Sequence, residues 1–215
     1  MDRETTGQVT FSFVVPVQNE HDGLEALCAQ LAAEGEKLGQ GYELIFVNDG
    51  STDGSAEALD ALAAEDPAVV VIHFSRNFGH QAAVTAGIDH ADDDVVCLID
   101  ADLQDPPELL ADMIGELENG NDIVYGQRTR REGESWMKRA TAKAFYRLLT
   151  ALTRVDIPPD TGDFRVMRRP VADVLRSMRE YHRFIRGMVA WTGFRAKPFP
   201  YSRSARYAGE TKYPF

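Results

Sequence analysis

Cysteine is nearly absent from this chain of 215 residues: only Cys28 and Cys97 occur. Cys28 falls in a helical pattern and Cys97 in an apolar run, so both read as small core residues, and the sequence offers no disulfide framework. The five histidines have no paired ligand spacing, which argues against zinc. Nowhere is there the run of about 18 apolar residues that a membrane span requires. The first ten residues are polar and contain no apolar leader segment. These absences lead us to expect a polypeptide that is soluble as it stands and works on the cytoplasmic side. It stops at Lys212-Tyr213-Pro214-Phe215, which leaves a continuation open.

Positive charge is scarce in one part of the chain. Residues 1–127 hold 26 Asp/Glu against Arg3, Lys37 and Arg76, while residues 128–215 hold 20 Lys/Arg against 8 Asp/Glu. The net charge of -11 conceals this division, which suits a first part that meets cations and a second that meets anions. Nucleic acid is not the expected anion, because the basic part lacks the interleaved aromatics or zinc spacing of the common modules. A phosphorylated substrate or a membrane surface suits it better. The length fits a single domain over residues 1–215.

Periodicity predicts strands at Thr10–Val17, Tyr42–Val47, Val69–Phe74 and Val95–Ile99. Helices are expected from Asp22 to about Leu38, after Asp53, and from about Gln81 to His90. Such alternation, with long crossovers, implies a parallel sheet covered by helices on both faces. Pro106-Pro107 opens the next helix, Ile123-Val124-Tyr125 forms a fifth strand, and Glu134–Leu152 reads as a long basic helix. Further on, Thr161–Arg169 and Phe194–Ser202 read as short strands around a helical stretch at Val171–Val189.

The chemistry collects where strands end. Val95-Val96-Cys97-Leu98-Ile99 delivers Asp100-Ala101-Asp102 to the carboxyl edge, where open α/β sheets bind ligands. Two close anions need compensation, and a hard divalent cation that also holds phosphate oxygens supplies it, so Mg²⁺ or Mn²⁺ with a nucleotide is expected. The other strands end in Pro16-Val17-Gln18-Asn19-Glu20, Asn48-Asp49-Gly50-Ser51-Thr52-Asp53 and Ser75-Arg76-Asn77-Phe78-Gly79. Asp49 and Glu20 can accept hydrogen bonds from a base or ribose, and Arg76 can meet phosphate. Simpler readings stand beside these: Asn48–Asp53 as a turn with an N-cap, Arg76 as a solvated charge, and Asp105 as a cap before two prolines.

The segments PxxNE at Pro16–Glu20, NDGSxD at Asn48–Asp53, SRNFGxxAAxxAG at Ser75–Gly87, DADLQDPPE at Asp100–Glu108 and YGxR at Tyr125–Arg128 occur in an order that resembles the family 2 glycosyltransferases of the GT-A fold. The similarity continues through Gly162-Asp163-Phe164-Arg165, Arg183–Gly187 and Arg206–Tyr213. The branch it resembles uses polyprenyl phosphate and includes the dolichol-phosphate mannose synthases and bactoprenol glucosyltransferases. The resemblance implies a Rossmann-like, mostly parallel sheet, with residues 1–127 handling nucleotide sugar and metal and residues 128–215 facing acceptor and membrane.

It further implies that Pro16, Asn19, Glu20, Asp49, Arg76, Asp100, Arg206 and Lys212 bind the donor, and that Asp100, Asp102 and Gln104 hold the metal. Arg128, Lys138, Arg139 and Arg165 would meet the acceptor, and Asp100, Asp102 and Asp163 would be the catalytic carboxylates, with Asp163 either a base or an orienting group. The implied reaction moves a hexose, UDP-glucose being the first-choice donor, to polyprenyl phosphate with inversion at the cytoplasmic face of a membrane. Lys138, Arg139, Lys143 and Arg147 would share a membrane-docking helix face. A processive polysaccharide synthase would share the donor site, but Trp191 is preceded by Met-Val-Ala and not by that group's QxxR. The remaining alternatives are a transferase that uses GDP-mannose or another UDP-sugar, and a sugar-nucleotide-binding scaffold without catalysis, which would be expected to lack the metal carboxylates or the basic acceptor groups.

Overall fold

The computed structural model describes residues 9–39, 41–129 and 161–203. The basic segment Glu134–Leu152, with Lys138, Arg139, Lys143 and Arg147, and the C-terminal Arg206 and Lys212 lie outside the described residues. Strands β1 (Phe11–Val17), β2 (Tyr42–Asn48), β3 (Val69–His73) and β4 (Val95–Leu98) alternate with helices α1 (His21–Lys37), α2 (Ser55–Glu65) and α3 (His80–His90). A 3₁₀ turn at Pro107–Leu109 leads into α4 (Leu110–Glu118) and β5 (Ile123–Arg128). The described chain resumes with β6 (Thr161–Arg168), α5 (Arg169–Ser177), α6 (Ile185–Trp191) and β7 (Ala196–Tyr201). The helical stretch expected over Val171–Val189 is thus two helices, interrupted by the loop that carries Arg183.

The side-chain period of a strand explains the two cores. Along β1, Phe11, Phe13, Val15 and Val17 point to one face and meet Leu24, Leu27 and Leu31 of α1, Leu59 of α2 and Met113 of α4. Val14 points to the other face and joins Val84 and Ile88 of α3, Leu175 of α5 and Met188 of α6. Helices therefore cover both faces, as expected. Cys28 and Cys97 are free thiols buried in the first core. Among the described residues no helix is long and apolar enough to cross a membrane.

The sheet order is β3-β2-β1-β4-β6-β5-β7. β1 to β4 are parallel, as is β7 to β5, while β6 runs antiparallel to both β4 and β5, so the sheet is mostly parallel, as expected. The crossover from β4 through α4 skips one position, and β6 fills that gap from the opposite direction. Its residues from Gly162 to Met167 are all buried, as a central strand's are, and such a run carries no record of strand direction. The reversal matters for the site. Leu98 pairs with Arg165, so continuing that register by two residues brings Asp163, near the start of β6, opposite Asp100 at the end of β4.

Close backbone approach fixes α3 on the sheet. A Cβ on Gly87 would lie 2.2 Å from Val14 Cγ1. Gly87→Ala should therefore destabilise the domain by about 1–3 kcal/mol. The check is a denaturant titration, in which the midpoint falls while the slope is unchanged.

Candidate active site

Three loops at the carboxyl edge are tied together before any ligand is considered. Asn48 Oδ1 accepts from Ser51 N (3.0 Å), which makes the turn after β2, and Asn48 Nδ2 meets His73 Nδ1 of the neighbouring strand (3.0 Å). Asn19 Oδ1 accepts from Thr52 N (2.8 Å), while Ser51 Oγ accepts from Asn19 N (3.0 Å). Asp53 accepts from His21 N (3.1 Å) and Ser55 N (3.0 Å), so it fastens the starts of α1 and α2. Gly50 has φ +63°, and a Cβ there would lie 2.4 Å from the Arg76 carbonyl carbon, so the loops after β2 and β3 touch backbone to backbone.

Asp49 is 3% exposed and accepts from Phe78 N (2.6 Å) and Gly79 N (3.0 Å). It shapes the wall formed by the loop after β3. Arg76 is exposed and lies 4.0 Å over the Phe78 ring. Pro16 and Glu20 are half-buried at the end of β1, Glu20 N donating to Ser55 Oγ (3.2 Å). The candidate nucleoside-end residues thus share one rim, and Asn19 and Asp49 are also the struts that hold that rim.

After β4 the chain turns sharply. Asp102 Oδ1 accepts from Gln104 N (3.1 Å), and Leu103 takes φ 54°, a left-handed conformation rare for a bulky residue. Strain of this kind collects at functional sites. The turn aims Asp102 back toward Asp100, and both reach one nitrogen: Arg203 Nη2 lies 3.5 Å from Asp100 Oδ2 and 3.4 Å from Asp102 Oδ2. Asp105 is fully buried and accepts from Tyr201 Oη (2.5 Å) and Arg203 Nε (3.0 Å). Its expected role as a cap is corrected: no side chain caps the turn at Pro107–Leu109, and Asp105 instead anchors the end of β7 to the acidic loop. Burial pushes the Asp100 carboxyl up to about 6, with Asp105, Asp163 and Asp102 adding to the rise and His80 opposing it.

Asp163 lies beside this group in a clamp of cations. It is 3% exposed and accepts from His80 Nε2 (2.8 Å), from Arg186 through Nε (3.0 Å) and Nη2 (3.3 Å), and from Arg165 Nη2 (3.4 Å). Burial alone would raise its pKa, but the His80 hydrogen bond and the Arg165 and Arg186 charges hold it far below the usual carboxylate range. For His80, burial opposes the charged form, yet the bond to Asp163 and the charges of Asp100 and Asp163 raise its pKa above the ordinary value. Arg165 is itself enclosed and donates to the Asp163 carbonyl (3.1 Å) and the Gly162 carbonyl (3.0 Å), so it braces Asp163 from within. Arg128, at the end of β5, lies against Gly162, and its buried Nε has no hydrogen-bond partner among the described residues.

The sequence alone does not single out His80, Arg186, Tyr201 and Arg203. His80 does follow a strand-end glycine, and Arg186 lies in the Arg183–Gly187 motif. Arg203 is 98 residues from Asp105, and no local pattern announces their contact.

Polar loops and acidic groups gather at the carboxyl edge of a mostly parallel α/β sheet covered on both faces, the edge where such sheets bind ligands. The model of the family described as glycosyl transferase family 2 matches residues 12–176, and the chain belongs to that family. It is 48% identical over 206 residues to the uncharacterized glycosyltransferase YkcC of Bacillus subtilis (strain 168), covering 96% of this chain and 64% of that protein. It is 38% identical over 202 residues to the prophage bactoprenol glucosyl transferase homolog of Escherichia coli (strain K12), covering 94% and 66%. The chain thus spans just under two thirds of these relatives. Among solved structures it is similar to glucosyl-3-phosphoglycerate synthase from Mycobacterium tuberculosis in complex with Mn²⁺, UDP and glucosyl-3-phosphoglycerate. There the TM-score is 0.63 at 19% identity, over 94% of this chain and 74% of that one, a likeness of fold.

Proposed function

We infer that this domain transfers a hexose from a nucleoside-diphosphate sugar to a polyprenyl phosphate, with inversion, at the cytoplasmic face of a membrane, using Mg²⁺ or Mn²⁺. The observation that carries this reading is the meeting of Asp100 and Asp102 around one cationic nitrogen at the carboxyl edge. A point where two carboxylates already hold positive charge suits a divalent ion. Among the described residues no three His, Cys, Asp or Glu side chains form a closed metal cage. Mg²⁺ is commonly bound by one or two carboxylates and keeps places for water and phosphate oxygens. Gln104, on the same turn, is the third candidate ligand. When bound, the metal would neutralise charge developing on the departing diphosphate.

The chain's own groups divide the remaining work. Pro16, Asn19, Glu20 and Asp49 form the rim offered to the nucleoside, and Arg76 is exposed beside it for a donor phosphate. Arg206 and Lys212 are assigned to the diphosphate, and Lys138 and Arg139 to the lipid phosphate, by resemblance alone. Arg128, at the end of β5, is assigned to the acceptor phosphate by resemblance, and its place beside Gly162 puts it near Asp163. Arg165 acts through Asp163, because its guanidinium is enclosed. Asp163 orients His80 and Arg186; a phosphate acceptor is already ionised near neutral pH and needs no base. UDP-glucose is the first-choice donor because the bactoprenol relative is named for glucosyl transfer.

A thermal-shift panel of UDP- and GDP-sugars, with and without Mn²⁺, tests the donor side, because a ligand specific for the folded state raises its midpoint. UDP-glucose with Mn²⁺ should give the largest rise, and transfer to a short polyprenyl phosphate should show the same order. No rise with any sugar nucleotide would overturn the reading. A rise without transfer to that acceptor would favour the scaffold.

A further inference from the structure

Arg203 sits where a metal reading needs an ion to sit. Its Nη2 lies 3.5 Å from Asp100 Oδ2, 3.5 Å from Asp102 Oδ1 and 3.4 Å from Asp102 Oδ2. These separations are at the long limit of hydrogen bonding, where the interaction is weak. The other end of the guanidinium is held better. Nε donates to Asp105 Oδ1 at 3.0 Å, and Asp105 is fully buried and also bound by Tyr201 Oη. Arg203 is therefore anchored at Asp105 and only loosely engaged with Asp100 and Asp102.

A divalent ion held between the same carboxylates would compete with Nη2 for the oxygens that now face it. Two cations in one partly buried site also repel. The guanidinium must leave Asp100 and Asp102 while keeping its Nε contact with Asp105. Metal arriving alone takes Asp100 and Asp102 from Nη2, which among the described residues keeps its 3.5 Å contact with Asp105 Oδ2. Metal arriving with a diphosphate brings a new anion to the same place.

We propose that Arg203 is the resident counter-cation of the Asp100–Asp102 metal seat, competing with the divalent ion and thereby coupling metal binding to binding of the donor diphosphate. The proposal rests on the reading that Asp100 and Asp102 hold a metal, and it adds a positioning residue that acts through them. Its consequence is reciprocal: nucleoside diphosphate strengthens metal binding, and metal strengthens nucleotide binding, by the same factor. Arg203 supplies part of that factor by weakening the metal-only state.

The test measures Mn²⁺ affinity by the electron paramagnetic resonance of free Mn²⁺, on the 215-residue chain and its Arg203→Gln variant, each with and without UDP. Arg203→Gln should bind Mn²⁺ more tightly than wild type in the absence of nucleotide, by about 5-fold or more, the low end of typical coupling factors. The strengthening produced by UDP should shrink correspondingly. A purely structural role for Arg203 would weaken the nucleotide-free site, so equal or weaker Mn²⁺ binding by the variant overturns the proposal. Absence of Mn²⁺ binding by both proteins even with UDP would instead overturn the metal reading beneath it. A second measurement needs no variant. In ¹⁵N-labelled wild type, Mg²⁺ should shift the Arg203 Nη resonances while the Nε–H signal, held by Asp105, stays; Nη resonances indifferent to saturating Mg²⁺ would refute displacement.

Discussion

Asp102→Asn is expected to reduce sugar transfer by on the order of 10²-fold or more, the scale seen when one preorganised electrostatic group is removed from a transition state. The fold should survive. Asp100, Asp102 and Asp105 crowd around the guanidinium of Arg203, and Asp102 is one of the charges that push the Asp100 carboxyl up to about 6. Removing that charge relieves repulsion. The asparagine side chain keeps the volume and the oxygen that accepts from Gln104 N, so the turn at Leu103 keeps its brace. The paired measurement is turnover against Mn²⁺ concentration together with the thermal midpoint. Turnover should be lost at every accessible Mn²⁺ concentration, with a midpoint within a few degrees of wild type. Near wild-type turnover in the presence of a chelator would remove Asp102 from the chemistry.

Why Asp102 is legible in the sequence and Arg203 is not is a matter of locality. Val95 to Ile99 is apolar throughout, and such a run reads as a strand buried on both faces, so the acidic residues after it must emerge at an edge. The same logic marks the ends of β1, β2 and β3. Each depends on side-chain period and on the few residues just beyond the strand, which a sequence displays directly. The polar turn at Asn48–Asp53 shows the limit of that logic. It is equally readable as a turn with a cap: Asn48 does close the turn, but the cap position of α2 is Gly54, with Asp53 accepting from Ser55 N one residue earlier, and Asp49 holds the neighbouring loop.

Strand direction and long-range ion pairs leave no such local trace. β6 is as continuously buried at its centre as a parallel strand would be, and its reversal shows only in its pairing with β4 and β5 in the gap that the β4–α4–β5 crossover leaves. That reversal brings the start of β6 to the carboxyl edge, and with it Asp163 to His80, 83 residues away in sequence. Asp105 departs from its expected role for the same reason. Two succeeding prolines are a local cap signal, whereas Tyr201 and Arg203 arrive from the far end of the described chain.

Asp163→Asn should destabilise the domain by about 3–5 kcal/mol, the range for breaking a buried ion pair by removing one partner. Arg165 loses the anion that accompanies it in the interior, and Arg186 loses both of its contacts with the carboxylate. The pH dependence reflects two opposed shifts. Asp163 has a depressed folded pKa, so its contribution is full above the unfolded value of about 3.9 and is lost as pH falls below it. His80 has a raised folded pKa, so its contribution is full below about 6.5 and is lost as pH rises through the folded value. The stability gap between wild type and Asp163→Asn should therefore be widest between about pH 4 and 6.5 and narrow on either side. Denaturant titrations over that range measure it directly. A carboxylate outside this clamp would behave otherwise: Asn would leave stability nearly intact, and any loss would fall on kcat alone. A variant with wild-type stability at every pH and a selective loss of kcat would return Asp163 to the role of base; a wide gap peaking in mildly acidic solution would make it the charged keystone that sets His80 and Arg186 beside Asp100.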